Sequence, residues 1–309
     1  MLALWLLSGL AYAHGGAVPV RGVYDWSQLP DLAPGAWIVW TLFPSVVLGC
    51  VAFSAIYEMM AGPWRVKWNL SPVGPTRRDR VLFHGGVAIV FCSLQGPLHE
   101  LADTYLFAGH MIQHLLITLF FPPMALLGIP GWMWKPVTDN PWALAIGRFL
   151  TRPVLSVLIP LFVLFGWHVP RIYQAALYDH NVHIVEHLSF MAAYVILWWP
   201  AMNRSEALPA LTPGWRMAYL FGQTLPMKLL GALLTMADYV LYPYYAQQPR
   251  VFGLDPMTDQ RTGGLIMWLP GGLVFWVTIG YTFFVFYRQD EPANRRVRPS
   301  PAPLPQAES

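Results

Sequence analysis

Apolar residues run almost unbroken through most of the chain, and polar positions gather in short connections between the runs. After a first run at 1–13, seven longer ones follow at 36–57, 80–94, 104–127, 153–169, 183–200, 215–239 and 264–287. A helix needs roughly 17–25 apolar residues to cross a bilayer. Most of the seven reach that length, and the second and fourth fall short of it. Pro122, Pro123, Pro160, Pro226 and Pro270 lie in or beside the runs, as kinks that neighbouring helices make tolerable in lipid. The pattern predicts an all-α membrane protein whose seven-helix transmembrane bundle occupies 36–287. The first run is too short to span and ends in Ala-Tyr-Ala, so 1–13 reads as a signal peptide, although no basic residue precedes it. Residues 14–35 then form an extracytoplasmic N-terminal segment, and the Pro-rich stretch 288–309 a disordered cytoplasmic tail.

Composition agrees with a membrane protein. Of the residues, 56% are hydrophobic and 11% are charged, against roughly 25% charged in soluble domains. No basic stripe with interleaved aromatics points to nucleic acid. Cys50 and Cys92 both lie in apolar runs, too few for a zinc or disulfide framework.

Charge placement sets the orientation. Arg65, Lys67, Arg77, Arg78, Arg80, Lys135, Arg148, Arg152, Arg204, Arg216, Arg288, Arg295, Arg296 and Arg298 fall in connections on one side. Arg21, Arg171, Arg250 and Arg261 fall on the other. Fourteen against four predicts an outside N-terminus and a cytoplasmic C-terminus. A multi-pass protein of a bacterial plasma membrane, embedded in its lipid, follows.

The candidate chemistry lies with histidine. His110 and His114, and again His183 and His187, are four residues apart and share a helix face. With His99, His168 and His180 they all fall toward the outer side, whereas His84 enters the second run from the inner end. Ionisable groups inside a membrane face inward and carry function by default, and imidazole is the commonest metal ligand. Histidines that merely pack and hydrogen-bond are the plainer alternative; seven in one leaflet favour a metal or haem site. Met111, Met191 and Met236 could add thioethers, which select Cu(I), and Cys92 a thiolate. Cleavage after Ala13 would leave His14 as a chelating N-terminus. Asp103 and Glu186 are expected to orient imidazoles from a second shell. Glu100, Asp179 and Asp238 would draw cations to the rim. Lys228 sits alone within the sixth run, to be paired with Glu58 or Asp238 or to serve an ion path.

Three stretches resemble a known family: GPLHELADTYLFAGHMIQHLLITLFFPPMALLGIP, GWHVPRIYQAALYDHNVHIVEHLSFMAAYVILWWP and LLGALLTMADYVLYPYY. They are similar to the CtaG family of polytopic membrane cytochrome c oxidase assembly factors. The family's PLH histidine falls on His99, its HMxQH pair on His110 and His114, its WH-P histidine on His168 and its EH histidine on His187. Lys228 has no tie to that pattern. The resemblance implies a seven-helix protein, not an enzyme, that matures haem-copper oxidase by delivering copper to one of its metal centres. Oxidase subunits and a copper donor protein would be its partners. Two other readings stand beside it: a bis-histidine haem b electron carrier, and a copper or proton transporter stepping through Lys228 and His84.

Overall fold

A computed structural model describes residue 33 and residues 35–297, with side chains as far as Arg288. The expected signal peptide, His14 and Arg21 lie outside the described residues. Among those described, all regular structure is helical.

Seven long helices correspond to the seven apolar runs. They are α1 (Pro44–Ala61), α2 (Arg77–Leu94), α3 (Phe107–Gly128), α4 (Pro153–Trp167), α5 (His180–Met202), α6 (Pro213–Met236) and α7 (Pro256–Val297). By length and apolarity α1, α3, α5 and α7 can each cross a membrane. The number rises to six if two bent pairs count as single spans: Arg77–Leu94 with Gly96–Tyr105, bent by 51°, and Pro141–Leu150 with Pro153–Trp167, bent by 70°. The 24-residue α6 is long enough but carries Arg216, Gln223 and Lys228. The final helix continues past Arg288, into the stretch read as tail.

The first bend places part of the site. Gly96 has φ +65°, a backbone state that costs an L-residue roughly 1–2 kcal/mol. A Cβ there would also come within 2.6 Å of the Trp40 ring. The chain therefore turns at Gly96, and the segment Gly96–Tyr105 leaves the axis of α2 at 51°. His99 consequently sits on a short helix, where the sequence pattern suggested a loop.

Proline shapes the helices, and neighbouring side chains repair what it removes. Pro122 has no N–H for the carbonyl of Thr118, four residues earlier. Instead, Trp198 of α5 donates its indole N–H to Thr118 O at 3.0 Å, and the chain passes through a π turn at Leu116–Phe120. Pro160 likewise frees Ser156 O, which accepts from Tyr219 Oη and Gln223 Nε2 of α6, each at 3.3 Å. These bonds pin α5 to α3 and α6 to α4. On the far side α6 and α7 meet through Gly231 and Gly264, where a Cβ on Gly231 would lie 2.7 Å from Gly264 O. Small residues of this kind let helix backbones close up in lipid. The buried core, with Phe107, Met111, Phe190, Trp198, Leu230 and Phe275, fills the space between α3, α5, α6 and α7.

Candidate metal centre

Two polar helix ends meet at one end of that core. α3 starts at Phe107 without a capping side chain of its own. Asp259 of α7 supplies the cap, accepting from Phe107 N at 2.8 Å and Ala108 N at 2.9 Å. α5 starts at His180, and Asp179 caps it by accepting from Asn181 N and Val182 N. Asp179, expected at the rim as a cation lure, is thus a helix cap. With both ends fixed, the His110/His114 face and the His183/His187 face turn toward each other.

Single ligand atoms of His110, His183, Glu186 and His187 all lie within 4.8 Å of one another, and all four residues are buried. Ring centroids are 4.2 Å apart for His183 and His187, 5.5 Å for His110 and His183, and 6.0 Å for His110 and His187. Glu186 stands among them, with one oxygen 3.9 Å from His110 Nε2 and 3.8 Å from His183 Nε2. Neither carboxylate oxygen has a hydrogen-bond partner, and His183 Nε2 and His187 Nε2 are also buried and unpartnered. Such groups cost free energy unless something binds them. The sequence reading put Glu186 in a supporting position; here its carboxylate stands among the candidate ligand atoms.

The surrounding groups fix which nitrogen carries the proton. Tyr245 Oη lies 2.8 Å from Ala102 O, which can only accept, so the phenol proton goes there. Its lone pairs then accept from His110 Nδ1 and from Tyr173 Oη, both at 3.2 Å, and His110 presents a bare Nε2 to the centre. Asp103 Oδ2 accepts from His183 Nδ1 at 3.1 Å and from His99 Nε2 at 3.1 Å, so His183 also turns a bare Nε2 inward. A carboxylate placed like this behind an imidazole is the arrangement that orients a ligating histidine. We predict that Tyr245→Phe, which strips the acceptor from His110 Nδ1, weakens metal binding about 10–100-fold. Competition with a chromogenic chelator measures it.

The other residues singled out in the sequence fall at varying distance. His114 Nε2 lies 2.9 Å from His110 Nε2 and 3.9 Å from Glu186, at the edge of the group. His99 is engaged on both nitrogens, by Asp103 and by Gln113 Nε2 at 3.0 Å, and so props the site from outside. His168 caps the end of α4, donates Nδ1–H to Leu164 O at 2.7 Å and stands behind Tyr173 and Phe190. Met111 is packed in the apolar core, Met236 is exposed at the end of α6, and Cys92 is an exposed free thiol on α2. None of these three joins the group. Asp238 is exposed beyond α6. His84 and Arg80 pair with Glu58 on the face between α1 and α2, and Lys228 lies over Trp276. Sequence reasoning missed Tyr173, Tyr245, Gln113 and Asp259. The LYPYY and HMxQH stretches held Tyr245 and Gln113 in plain view.

A cavity of about 640 Å³ runs between α1 and α5 and reaches the cluster, lined there by His99, His180, His183, His187 and Met191.

No solved structure matches the chain. An uncharacterized protein of Mycobacterium leprae (strain TN) is 26% identical over 270 residues. That match covers 79% of this chain and 39% of the relative, so the chain spans less than half of its length. The family model described as cytochrome c oxidase caa3 assembly factor matches residues 55–289, from within α1 into the last helix. This chain belongs to the cytochrome c oxidase caa3 assembly factor family.

Proposed function

We propose that the protein holds a copper ion among His110, His183, Glu186 and His187 and passes it to a metal centre of the oxidase. The observation that supports this most is the convergence of ligand atoms from four buried residues within 4.8 Å, with the Glu186 carboxylate and the Nε2 atoms of His183 and His187 left without hydrogen-bond partners. Imidazole suits copper, zinc, iron and nickel, so the donors alone leave the metal to the family's role in building an oxidase. The close interleaving of rings from α3 and α5, at 4.2–6.0 Å, favours one ion over a haem, which needs a porphyrin-sized slot between its axial ligands. His84 and Lys228, the stepping points a transporter would need, both lie away from the cluster.

Delivery requires ligands that let go, unlike those of a closed structural zinc site. His114 offers such an exchange, because the His110 lone pair can take either an ion or the His114 proton. The cavity between α1 and α5 leads outward from the centre with the Met191 thioether on its wall, a soft donor suited to Cu(I). In this reading the seven long helices all span a bacterial plasma membrane with the histidines toward the outside and the C-terminus in the cytoplasm. Oxidase subunits receive the metal, and a copper donor protein supplies it. No substrate is chemically turned over.

Metal analysis of the detergent-purified protein after copper loading and washing tests the proposal. Copper is retained by the parent, and His110→Ala and His187→Ala each lower the affinity at least about tenfold while leaving membrane insertion intact. Undiminished copper in both variants, or a Soret band stoichiometric with protein, would overturn it.

A further inference from the structure

Lys228 is the polar residue that the metal centre does not use. It belongs to α6, and a Cβ on Gly272 of α7 would lie 2.9 Å from its Cε. Gly272 is at the middle of the 33-residue candidate span Pro256–Arg288. Beyond that contact Nζ lies 5.4 Å from the centroid of Trp276, one turn further along α7. The side chain therefore lies against the middle part of α7, whereas a lysine near a helix end would snorkel to water.

Lys228 also lines a groove of about 610 Å³, together with Leu161, Phe165, Gly222, Leu225, Pro226 and Trp268. Leu225, Leu229 and Trp276 around it are exposed, so the groove opens to lipid. Nothing lies within 4 Å of where a Cβ on Gly222 would stand, which lets another helix backbone come close. No described carboxylate lies within 4 Å of Nζ. Glu58 is taken by Arg80 and His84, and Asp79 by Arg204. The Trp276 ring offers only a partial counterweight to a charge at this depth.

We infer that this groove is the docking surface for a transmembrane helix of another protein bearing a glutamate or aspartate near mid-bilayer. Charge complementarity selects that occupant. Lipid phosphates sit at the headgroups, roughly 15 Å from the midplane of a hydrocarbon core ~30 Å thick, out of reach of Nζ. Among the described residues of its long apolar helices, a second copy of this chain offers no free carboxylate at that depth, since Glu58 is paired and Glu186 and Asp259 are buried. The inference does not depend on which metal the histidines hold.

The test reconstitutes the labelled protein in phosphatidylcholine vesicles with a synthetic leucine–alanine transmembrane peptide carrying glutamate or glutamine at its centre. Energy transfer between labels reports association. The glutamate peptide binds about tenfold more tightly than the glutamine peptide; Lys228→Met erases the preference and Lys228→Arg keeps it. Equal binding of the two peptides, or a preference that survives Lys228→Met, overturns the inference. So does a preference abolished by adding phosphatidylglycerol, which would make anionic lipid the occupant. Self-association of the chain that Lys228→Met abolishes would make it a second copy, with the same consequence.

Discussion

Glu186→Gln leaves the metal-free protein at least as stable as the parent and removes most of its affinity for metal. A substitution that damages packing does the opposite of the first and need not do the second. Both Glu186 oxygens are buried without a hydrogen bond, and the residue is fully enclosed by the bundle. An uncompensated carboxylate in that position costs several kcal/mol. The amide has nearly the same shape and a smaller desolvation cost, so the metal-free variant gains about 1–3 kcal/mol. Metal binding moves the other way, because the site loses its anionic donor; a loss of about 100-fold is expected, at the upper end of what supporting groups produce. Thermal unfolding in detergent, with and without copper, resolves the two. At a copper concentration of about 100 Kd the parent is stabilised by ~2.7 kcal/mol, and the variant shows almost none of that gain. Equal copper-induced shifts in parent and variant would mean that the carboxylate is no ligand.

The site's raw materials were legible in the sequence, and its assembly only in part. Apolar runs marked every long helix, and two His-x-x-x-His faces announced that imidazoles would gather on one side. The structure brings His110, His183 and His187 together as that spacing suggests. The position of Glu186 was also readable: it is three residues after His183 and one before His187, so it shares the face of His183. His99 and His168 show the limit of such reading. His99 is engaged on both nitrogens by Asp103 and Gln113, whereas His168 gives one nitrogen to its own helix carbonyl and keeps the other buried and unpartnered, apart from the four-residue group. Which nitrogen stays free depends on partners from distant segments, and no local pattern carries that information. The bend at Gly96 and the π turn before Pro122 shift helical phase in a similarly hidden way. Single prolines and glycines signal that something happens there, while the carbonyl-to-indole bond from Trp198 determines what.

Asp259→Ala is expected to unfold the end of the bundle that carries the histidine cluster and to weaken metal binding there together, though Asp259 is not among the candidate ligands. Its two oxygens accept from Phe107 N and Ala108 N, and the residue is buried at 1% exposure. Truncation leaves two enclosed N–H groups without acceptors, each costing about 1–3 kcal/mol, and removes a negative charge from the positive end of α3. The expected destabilisation is about 2–6 kcal/mol by these terms, large beside the 5–15 kcal/mol that holds a typical domain folded. Asp259→Asn retains one acceptor oxygen, so it falls between the parent and the alanine variant in thermal unfolding. Fraying at Phe107 reaches the centre quickly. His110 lies one turn further on, and Tyr245, which sets its protonation, is anchored to Ala102 just before that helix start. Copper affinity in the two variants therefore follows the order of their stabilities. A destabilised Asp259→Ala protein that kept full copper affinity would show that the His183, Glu186 and His187 face of α5 holds the ion without help from α3.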